Sequence, residues 1–559
     1  MFNRHTFIIL TLLIYICLMI SVITWGIPSV DRVFLYHMDE WHQLMAIRSL
    51  ASNLTTTTEG AAHGAVFHFL ISGAFLGVFQ VLHIIDIFDI SNSVAGLATQ
   101  EKIFVILRVS TLLYGIASIL CIYYLLRSQL KITNYWTGVI FFIATPIWVS
   151  LSNYFKYDIA LTFWICVSLV LLMRFIDTPS WKNYLLTGIA VGLAFGTKIS
   201  AVPIMFLYLI SYFYGVKSWK KEWKMLLNGL SIMLLTTFLL GVPDLLIGTG
   251  NYSIILNDVV VDYPANSYNY NLGSHFWLYL IFNQVPVNFG RPLTILFIIS
   301  FIFILHRLIK MIASSTIKEN LFNRILLLNS SKETKKILLI TIGFLLFAAS
   351  LYPLKLFSSG NRMLVLLPFM AKITCYVTEQ IMNINRYKQV VYAIITVALL
   401  FQIIETYAWL SIKWNRDPRQ ESSTWVEDHI PAGTVIGVTQ PLIYQYPPDV
   451  LLKDYYFDLE DTFDYSGTYS YVDVLSSDTV PNVVVLSNLD HEKHKFTSPT
   501  YELYEKLQSD GYDTVAKFSP QFGIQKYIND PLSFALPNLV PTPLDITILA
   551  NKSGQSQLK

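Results

Sequence analysis

The sequence predicts a polytopic α-helical membrane protein that ends in a small soluble α/β domain. Of its 559 residues, 54% are hydrophobic and only 14% are charged, which is typical of proteins with many membrane spans. The composition changes near Asn415, because residues 415–559 contain 20 acidic and only 10 basic side chains, whereas the preceding part is basic. We therefore predict two domains, a membrane domain over residues 1–414 and an external soluble domain over residues 415–559. A net charge of +2 gives no reason to expect a nucleic-acid partner.

Apolar runs of about 17–25 residues are long enough to cross a bilayer as helices. The chain contains about eleven of them. They lie at 7–27, 103–126, 135–151, 158–175, 183–198, 200–216, 225–247, 290–309, 337–356, 361–380 and 388–411. A further apolar stretch, 66–84, is either a twelfth span or a helix that lies in the membrane interface.

Basic loops distinguish these two alternatives, because Lys and Arg collect on the cytoplasmic side of a membrane. Four loops are basic, and they lie at 127–131, 217–224, 307–336 and 386–388. All four fall on the cytoplasmic side if the N-terminus is cytoplasmic and 66–84 does not span. We therefore interpret 66–84 as a re-entrant or interfacial helix, and place the C-terminal domain on the external or lumenal side.

The residues after Asn415 alternate between short helical and strand-like patterns, as in a small α/β domain. We expect helices at Ser422–His429 and Ser498–Ser509, and strands at Thr434–Val438, Asn482–Leu486, Tyr512–Phe518 and Asp545–Leu549. The four cysteines all lie in apolar runs, so we predict neither a disulfide framework nor a thiolate metal site.

Two adjacent carboxylates, Asp39 and Glu40, lie just outside the first span, between His37 and His42. A carboxylate at a membrane boundary is costly if it loses its water, so such a cluster indicates a role in substrate chemistry. The alternative is a solvated interfacial loop in which Trp41 belongs to the aromatic belt of the membrane.

Further charged side chains fall on the same external side in this topology. They are Lys156 and Asp158 in Lys156-Tyr157-Asp158, Lys198 in Gly196-Thr197-Lys198, and Arg362 in Gly360-Asn361-Arg362. Any one basic side chain at a helix end commonly extends toward the lipid headgroups. Several on one side of the membrane favour a functional site.

The order of these motifs resembles that of the GT-C glycosyltransferases, in particular the branch of protein O-mannosyltransferases and lipid A aminoarabinose transferases. The resemblance covers almost the whole chain and rests on five short elements. They are Asp39-Glu40, Lys156-Tyr157-Asp158, Gly192–Lys198, Arg362–Pro368 and Trp425–Gly433. Two positions depart from the family pattern: lysine stands before Asp158 where arginine is common, and Glu59–Gly64 lacks a His-Pro-Pro sequence.

This resemblance implies transfer of a hexose or pentose from a polyprenyl-phosphate carrier to an external or lumenal acceptor, with inversion at the anomeric carbon. Asp39 is the expected base and Glu40 the residue that orients it or the acceptor. The donor phosphate is expected to bind Arg362 and Lys198, with Lys156 as a third candidate. Asp158, His42 and His63 are the remaining candidates for holding or orienting substrate.

No cofactor is predicted, and a divalent cation remains an alternative. Asp39, Glu40 and Asp158 would suit a hard cation, whereas His37 and His42 would favour a softer one. The sequence leaves open the sugar, the acceptor (protein, lipid or glycan) and the membrane, which is a plasma membrane or an endoplasmic reticulum. Two other classes also remain open, a transporter and an inactive scaffold with the same fold. Against a transporter, the chain has no evident internal repeat.

Overall fold

The computed structural model describes residues 4–29, 35–53, 66–90, 94–216, 218, 221–241, 281–282, 285–314, 330–351, 360–415, 417–438, 469–474, 481–487, 499–519 and 546–558. The chain forms two compact units. The helical unit comprises Met1–Ile20, His42–Gly77 and Leu107–Thr406, and the sheet unit comprises Ser21–Trp41, Val78–Ile106 and Tyr407–Lys559. The sheet unit thus takes in two segments from the N-terminal fifth of the chain, which composition did not predict. The division at residue 414 stays a prediction.

Helices lie within each of the eleven apolar runs and the 66–84 stretch, and two more, Met38–Asn53 and Val285–Phe289, lie outside these runs. In chain order they are α1 (Arg4–Ile20), α2 (Met38–Asn53), α3 (Val66–Val81), α4 (Val94–Tyr124), α5 (Tyr135–Ile143), α6 (Pro146–Leu151), α7 (Tyr157–Asp177), α8 (Trp181–Thr197), α9 (Val202–Gly215), α10 (Trp223–Leu240), α11 (Val285–Phe289), α12 (Arg291–Ser314), α13 (Lys332–Ser350), α14 (Leu367–Met382) and α15 (Lys388–Trp414). Short 3-10 segments precede α9 at Ile199–Ala201 and α14 at Gly360–Leu366.

Among the described residues, six helical stretches are long and apolar enough to cross a membrane. They are Ala95–Gln129, Tyr157–Asp177, Trp223–Leu240, Arg291–Ala313, Asn361–Met382 and a stretch within Lys388–His429. Shorter apolar helices lie at Thr6–Ile20, Val66–Val81 and Ile199–Gly215. The chain is therefore a mostly helical integral membrane protein.

The predicted span 135–151 is not one helix but two, α5 and α6. Pro146 occupies the first turn of α6, and Thr145 before it is extended, with φ −95° and ψ 126°. Proline lacks the N–H that would continue α5 and disfavours helical backbone at the preceding residue, so the break follows directly from the sequence. At the predicted span 361–380, a 3-10 segment likewise precedes α14, which has Pro368 in its first turn.

Two of the four basic loops, 127–131 and 307–336, meet at one end of the helical unit. Lys336 Nζ donates to the Gln129 carbonyl at 2.8 Å and to Asp177 Oδ2 at 2.6 Å. Lys335 Nζ donates to the Tyr214 carbonyl at 3.3 Å, and Lys332 Nζ to the Asp177 carbonyl at 2.6 Å. The ends of α7 and α9 and the start of α13 are thereby joined at this end.

The sheet unit contains a five-stranded sheet with helices before, within and after it. The elements are α16 (Pro418–His429), β1 (Val435–Val438), β2 (Ser470–Asp473), β3 (Val483–Ser487), α17 (Pro499–Ser509), β4 (Asp513–Phe518), β5 (Ile546–Ala550) and α18 (Lys552–Gln557). The strand order is β2-β1-β3-β5-β4. β1 pairs in parallel with β2 and β3, and β5 pairs antiparallel with β3 and β4.

Both faces of this sheet are covered, because side chains of successive strand residues point to opposite sides. On one face, Ile546 and Ile548 of β5 pack with Val426 and Ile430 of α16. On the other face, Leu549 packs with Leu507 of α17, together with Val484, Leu486, Leu503 and Tyr512. The first core also contains Tyr36 and Leu97, which come from the N-terminal segments of the unit.

Candidate active site

The start of α7 carries two of the predicted site residues, and both are buried. Lys156 is the extended residue before the helix, with φ −140° and ψ 145°, and Asp158 lies in the first turn. A carboxylate in the first turn of a helix is stabilised by the unpaired N–H groups and the positive end of the helix dipole. Local sequence therefore explains why Asp158 is tolerated at the head of an apolar helix.

Lys198 lies 40 residues after Asp158 in the sequence, at the end of another helix, and pairs with it. It is the extended residue that ends α8, before the 3-10 segment that leads into α9. Its Nζ donates to Asp158 Oδ1 at 2.7 Å and lies 4.3 Å from the centre of the Tyr157 ring. Lys156 Nζ lies 3.8 Å from Asp158 Oδ2. The structure thus brings together three residues that the sequence separates by as many as 42 positions.

Arg362 belongs to the same electrostatic group. It lies in the 3-10 segment Gly360–Leu366, which packs against α7. The positive charges of both Lys156 and Arg362 act on the Lys198 ammonium. Among these four side chains, three are cations and one is an anion. We call Lys156, Asp158, Lys198 and Arg362 the cationic cluster. A set of this kind is chemically suited to an anionic group such as a phosphate.

A histidine that sequence reasoning missed lies beside this cluster. His68 of α3 is 1% exposed, and its ring stacks on Phe155 with the centroids 5.2 Å apart. The charge of Asp158 acts on it. Neither of its ring nitrogens has a hydrogen-bond partner among the described residues. The signal in the sequence was a single imidazole in the otherwise apolar run Val66–Val81.

The remaining predicted residues lie elsewhere. Asp39 and Glu40 form the first turn of α2 in the sheet unit, where the Asp39 N–H donates to His37 Nδ1 at 3.3 Å and Glu40 is fully buried. His42 follows on α2 and belongs to the helical unit. His63 lies outside the described residues. A role for these four residues in substrate chemistry stays a prediction.

A metal site is not apparent in the part of the chain that the structure describes. Within those residues, no group of three or more His, Cys, Asp or Glu side chains is arranged to hold a metal ion. This observation does not test the divalent cation considered from the sequence, because His63 lies outside the described residues.

Residues 93–240 match the family model of the dolichyl-phosphate-mannose-protein mannosyltransferases. The match covers about a quarter of the chain and includes Lys156, Asp158 and Lys198, but neither Asp39-Glu40 nor Arg362. No curated protein sequence matches the chain.

Two solved structures are similar over much of the chain. One is ArnT from Cupriavidus metallidurans bound to undecaprenyl phosphate, with 12% identity, a TM-score of 0.43 and 98% of each chain covered. The other is the Archaeoglobus fulgidus oligosaccharyltransferase tethered to an acceptor peptide. It has 12% identity and a TM-score of 0.41, with 76% of this chain and 57% of that chain covered. These likenesses are too distant to carry an argument about residues.

Over residues 93–240, the family match bears out the resemblance to GT-C glycosyltransferases, whereas Asp39-Glu40, Arg362–Pro368 and Trp425–Gly433 lie outside the matched segment. It supports a membrane glycosyltransferase in broad terms and falls on the segment that supplies three of the four members of the cationic cluster.

The buried Asp158–Lys198 pair yields a prediction about stability. Replacing Asp158 with Asn leaves Lys198 buried without its carboxylate, which should cost about 3–5 kcal/mol of unfolding free energy. Thermal unfolding of the purified protein in detergent measures this loss. Asp177→Asn is the control at the other end of α7. The Asp177 side chain is 37% exposed, and the buried Lys336 would keep its bond to the Gln129 carbonyl at 2.8 Å, so losing this pair should cost clearly less than losing the Asp158 pair. Equal losses in the two variants would contradict the prediction.

Proposed function

We propose that this protein transfers a sugar from a polyprenyl-phosphate donor to an acceptor on the external or lumenal face of a membrane, with inversion. The observation that carries this proposal is the cationic cluster, three members of which lie in the segment that matches a family of lipid-phosphate-dependent mannosyltransferases. The partners of the reaction are the lipid-linked donor within the bilayer and a protein, lipid or glycan acceptor.

The cationic cluster suits the donor because the phosphate gains charge as the bond from the sugar to the carrier breaks. Fixed cations in a water-poor site stabilise developing negative charge strongly, since they are already in place when the charge appears. Arg362 offers a planar fork for two phosphate oxygens, and Lys198 offers a point charge. Asp158 holds Lys198 in position, which is the role we assign to it among those considered from the sequence.

The acceptor hydroxyl must lose a proton as it attacks the anomeric carbon from the side opposite the departing phosphate. A carboxylate within hydrogen-bond reach of the hydroxyl can take this proton. We assign this role to Asp39, with Glu40, His42 and His63 orienting the acceptor or the base. Holding donor and acceptor in line lowers the entropic part of the barrier, and inversion follows from single displacement.

We further propose a topology of about eleven spans, with the N-terminus cytoplasmic and residues 415–559 forming an external α/β domain. This proposal is supported by the meeting of basic segments at one end of the helical unit, opposite the end of α7 that carries Asp158.

Labelling with a membrane-impermeant thiol reagent tests this topology in intact cells. In a background without the four native cysteines, Ser509→Cys should react from outside and Lys221→Cys only after the cells are opened. The native Ser509 is exposed, so poor access does not limit the reagent there. Reaction of Lys221→Cys in intact cells would reverse the proposed orientation.

Asp39→Asn should abolish sugar transfer while the protein still folds, because an amide keeps the shape of the carboxyl group but cannot accept the proton. The measurement is single-turnover transfer from a polyprenyl-phosphate sugar by the purified variant. Glu40→Gln is the matched control and should lose less activity if Glu40 only orients. Wild-type turnover by Asp39→Asn would exclude Asp39 as the base.

Arg362→Gln and Lys198→Gln should each weaken binding of polyprenyl phosphate. A hydrogen bond to a charged group is worth about 1.5–3 kcal/mol, so each loss should weaken binding by roughly ten- to a hundred-fold. Arg362→Lys should restore binding only in part, because it replaces the charge without the fork.

Titration of polyprenyl phosphate into the purified proteins in detergent measures these affinities. Lys332→Gln is the control, since it removes a basic side chain at the other end of the helical unit. If the Arg362 and Lys198 variants bind as tightly as this control, neither residue contacts the carrier phosphate.

A further inference from the structure

The sheet unit encloses a residue from the N-terminal part of the chain, Tyr36. Its side chain is fully buried and belongs to the core that Val426 and Ile436 also form. The Tyr36 N–H donates to the Gly26 carbonyl at 2.9 Å, and the Tyr36 ring packs edge-on against Trp25 with the centroids 5.1 Å apart. The segment before α2 is therefore an integral part of the core of the sheet unit.

The arginine of a buried ion pair packs against one face of the Tyr36 ring. Arg419 is fully buried, and its Cζ lies 3.3 Å from the centre of the Tyr36 ring. Its Nε and Nη2 each donate to one carboxylate oxygen of Asp417, both at 2.7 Å. Asp417 also caps the start of α16 by accepting the Arg419 N–H at 3.0 Å. We call Arg419, Asp417, Trp25 and Tyr36 the Tyr36 clamp.

Only His37 separates the clamp residue Tyr36 from the start of α2 at Met38. His37 Nδ1 accepts the Asp39 N–H, and the His37 carbonyl accepts the Glu40 N–H at 3.1 Å. Asp39 and Glu40 therefore follow Tyr36 through a short, hydrogen-bonded turn with little freedom of its own. Because α2 begins only two residues after Tyr36, a shift of Tyr36 should also displace the first turn of α2.

The chemistry of the clamp favours a positioning role over a purely stabilising one. A buried ion pair commonly contributes no more stability than apolar side chains of the same volume, whereas it does fix one geometry. The bidentate fork of Arg419 fixes its guanidinium on Asp417, and the Cζ of this group lies over the Tyr36 ring.

We propose that the Tyr36 clamp positions Asp39 and Glu40 for sugar transfer, so that the sheet unit contributes to catalysis. This inference rests on the proposed function, since it takes Asp39 as the base. A misplacement of about 1 Å can cost as much as a hundred-fold in rate, so a weakened clamp should impair transfer although the carboxylates remain.

The principal variants are Arg419→Lys, which keeps the charge but loses the fork, and Tyr36→Leu, which removes the ring. Tyr36→Phe is the conservative counterpart, because it keeps the ring beneath the guanidinium. Leu507→Ala is the matched structural control, since Leu507 lies in the core on the opposite face of the sheet. Each is made in the full-length protein and studied in detergent.

Two measurements separate positioning from stability. The first is kcat and KM for a polyprenyl-phosphate sugar. The second is hydrogen exchange of the peptides that cover residues 25–44 and 361–382. For Arg419→Lys and Tyr36→Leu, we expect kcat to fall about ten- to a hundred-fold. We expect KM for the donor to stay within about two-fold, because Arg362 and Lys198, not the clamp, are assigned to its phosphate. Exchange should rise in residues 25–44 and not in residues 361–382. The fall in kcat should be much smaller for Tyr36→Phe.

Leu507→Ala should lower the unfolding temperature without faster exchange in residues 25–44. The inference is overturned if exchange rises in that segment while kcat is unchanged, or if Leu507→Ala loses kcat as Arg419→Lys does. If Arg419→Lys fails to fold, the same outcomes are read from Tyr36→Leu. Absence of transfer by the wild-type protein, or full activity of Asp39→Asn, would instead overturn the proposed function.

Discussion

The buried pair between Asp158 and Lys198 is the interaction on which the candidate site depends. Removing an isolated charge from water is prohibitively costly, so each residue can be buried only because the other is there. The pair also explains two features of the backbone. Asp158 lies where α7 offers unpaired N–H groups, and Lys198 lies where α8 stops, so that its extended backbone brings the ammonium to Oδ1 at 2.7 Å.

The composition of the cationic cluster has a chemical consequence. A carboxylate with a single lysine would be a neutral structural element. The addition of Lys156 and Arg362 makes the set of four basic, and both charges act unfavourably on Lys198. Such repulsion is relieved when an anion binds, so part of the site's electrostatic energy becomes available to bind a phosphate and to stabilise it as it departs. Charged side chains buried among the helices of a membrane protein commonly mark a functional site.

Sequence patterns predicted the local elements of this protein well and its long-range contacts poorly. Apolar length predicted where helices lie, six of which are long and apolar enough to cross a membrane among the described residues, and the break before α6 follows from Pro146. Strands β1, β3, β4 and β5 appear within about two residues of their expected positions. The short strand Ser470–Asp473 was missed, because its four residues carry no alternation that distinguishes them from a loop.

The contacts that define the site depend on tertiary structure instead. Lys198 and Asp158 are 40 residues apart, and no periodicity predicts their pairing. His68 was overlooked because one imidazole in an apolar helix is usually a packed core residue, and only its place beside Phe155 and Asp158 distinguishes it. Composition divided the chain near residue 414, and it gave no sign that Tyr36 and Leu97 belong to the core of the sheet unit.

This last feature changes how the soluble part of the chain should be understood. The sheet has a core on each face, and the core that contains Tyr36 combines side chains from both ends of the chain, with Tyr36 and Val426 about 400 residues apart. That core is complete only when the N-terminal segments are present, so residues 415–559 alone would expose the apolar side chains that Tyr36 and Leu97 cover. The described residues of the opposite core, built around Leu507 and Leu549, all come from the tail. Among the described residues, one core of the sheet is thus built from the tail alone, whereas the other also uses the segment that leads to Asp39 and Glu40. Folding of the sheet unit therefore also fixes Tyr36, and with it the segment that leads directly into the two carboxylates.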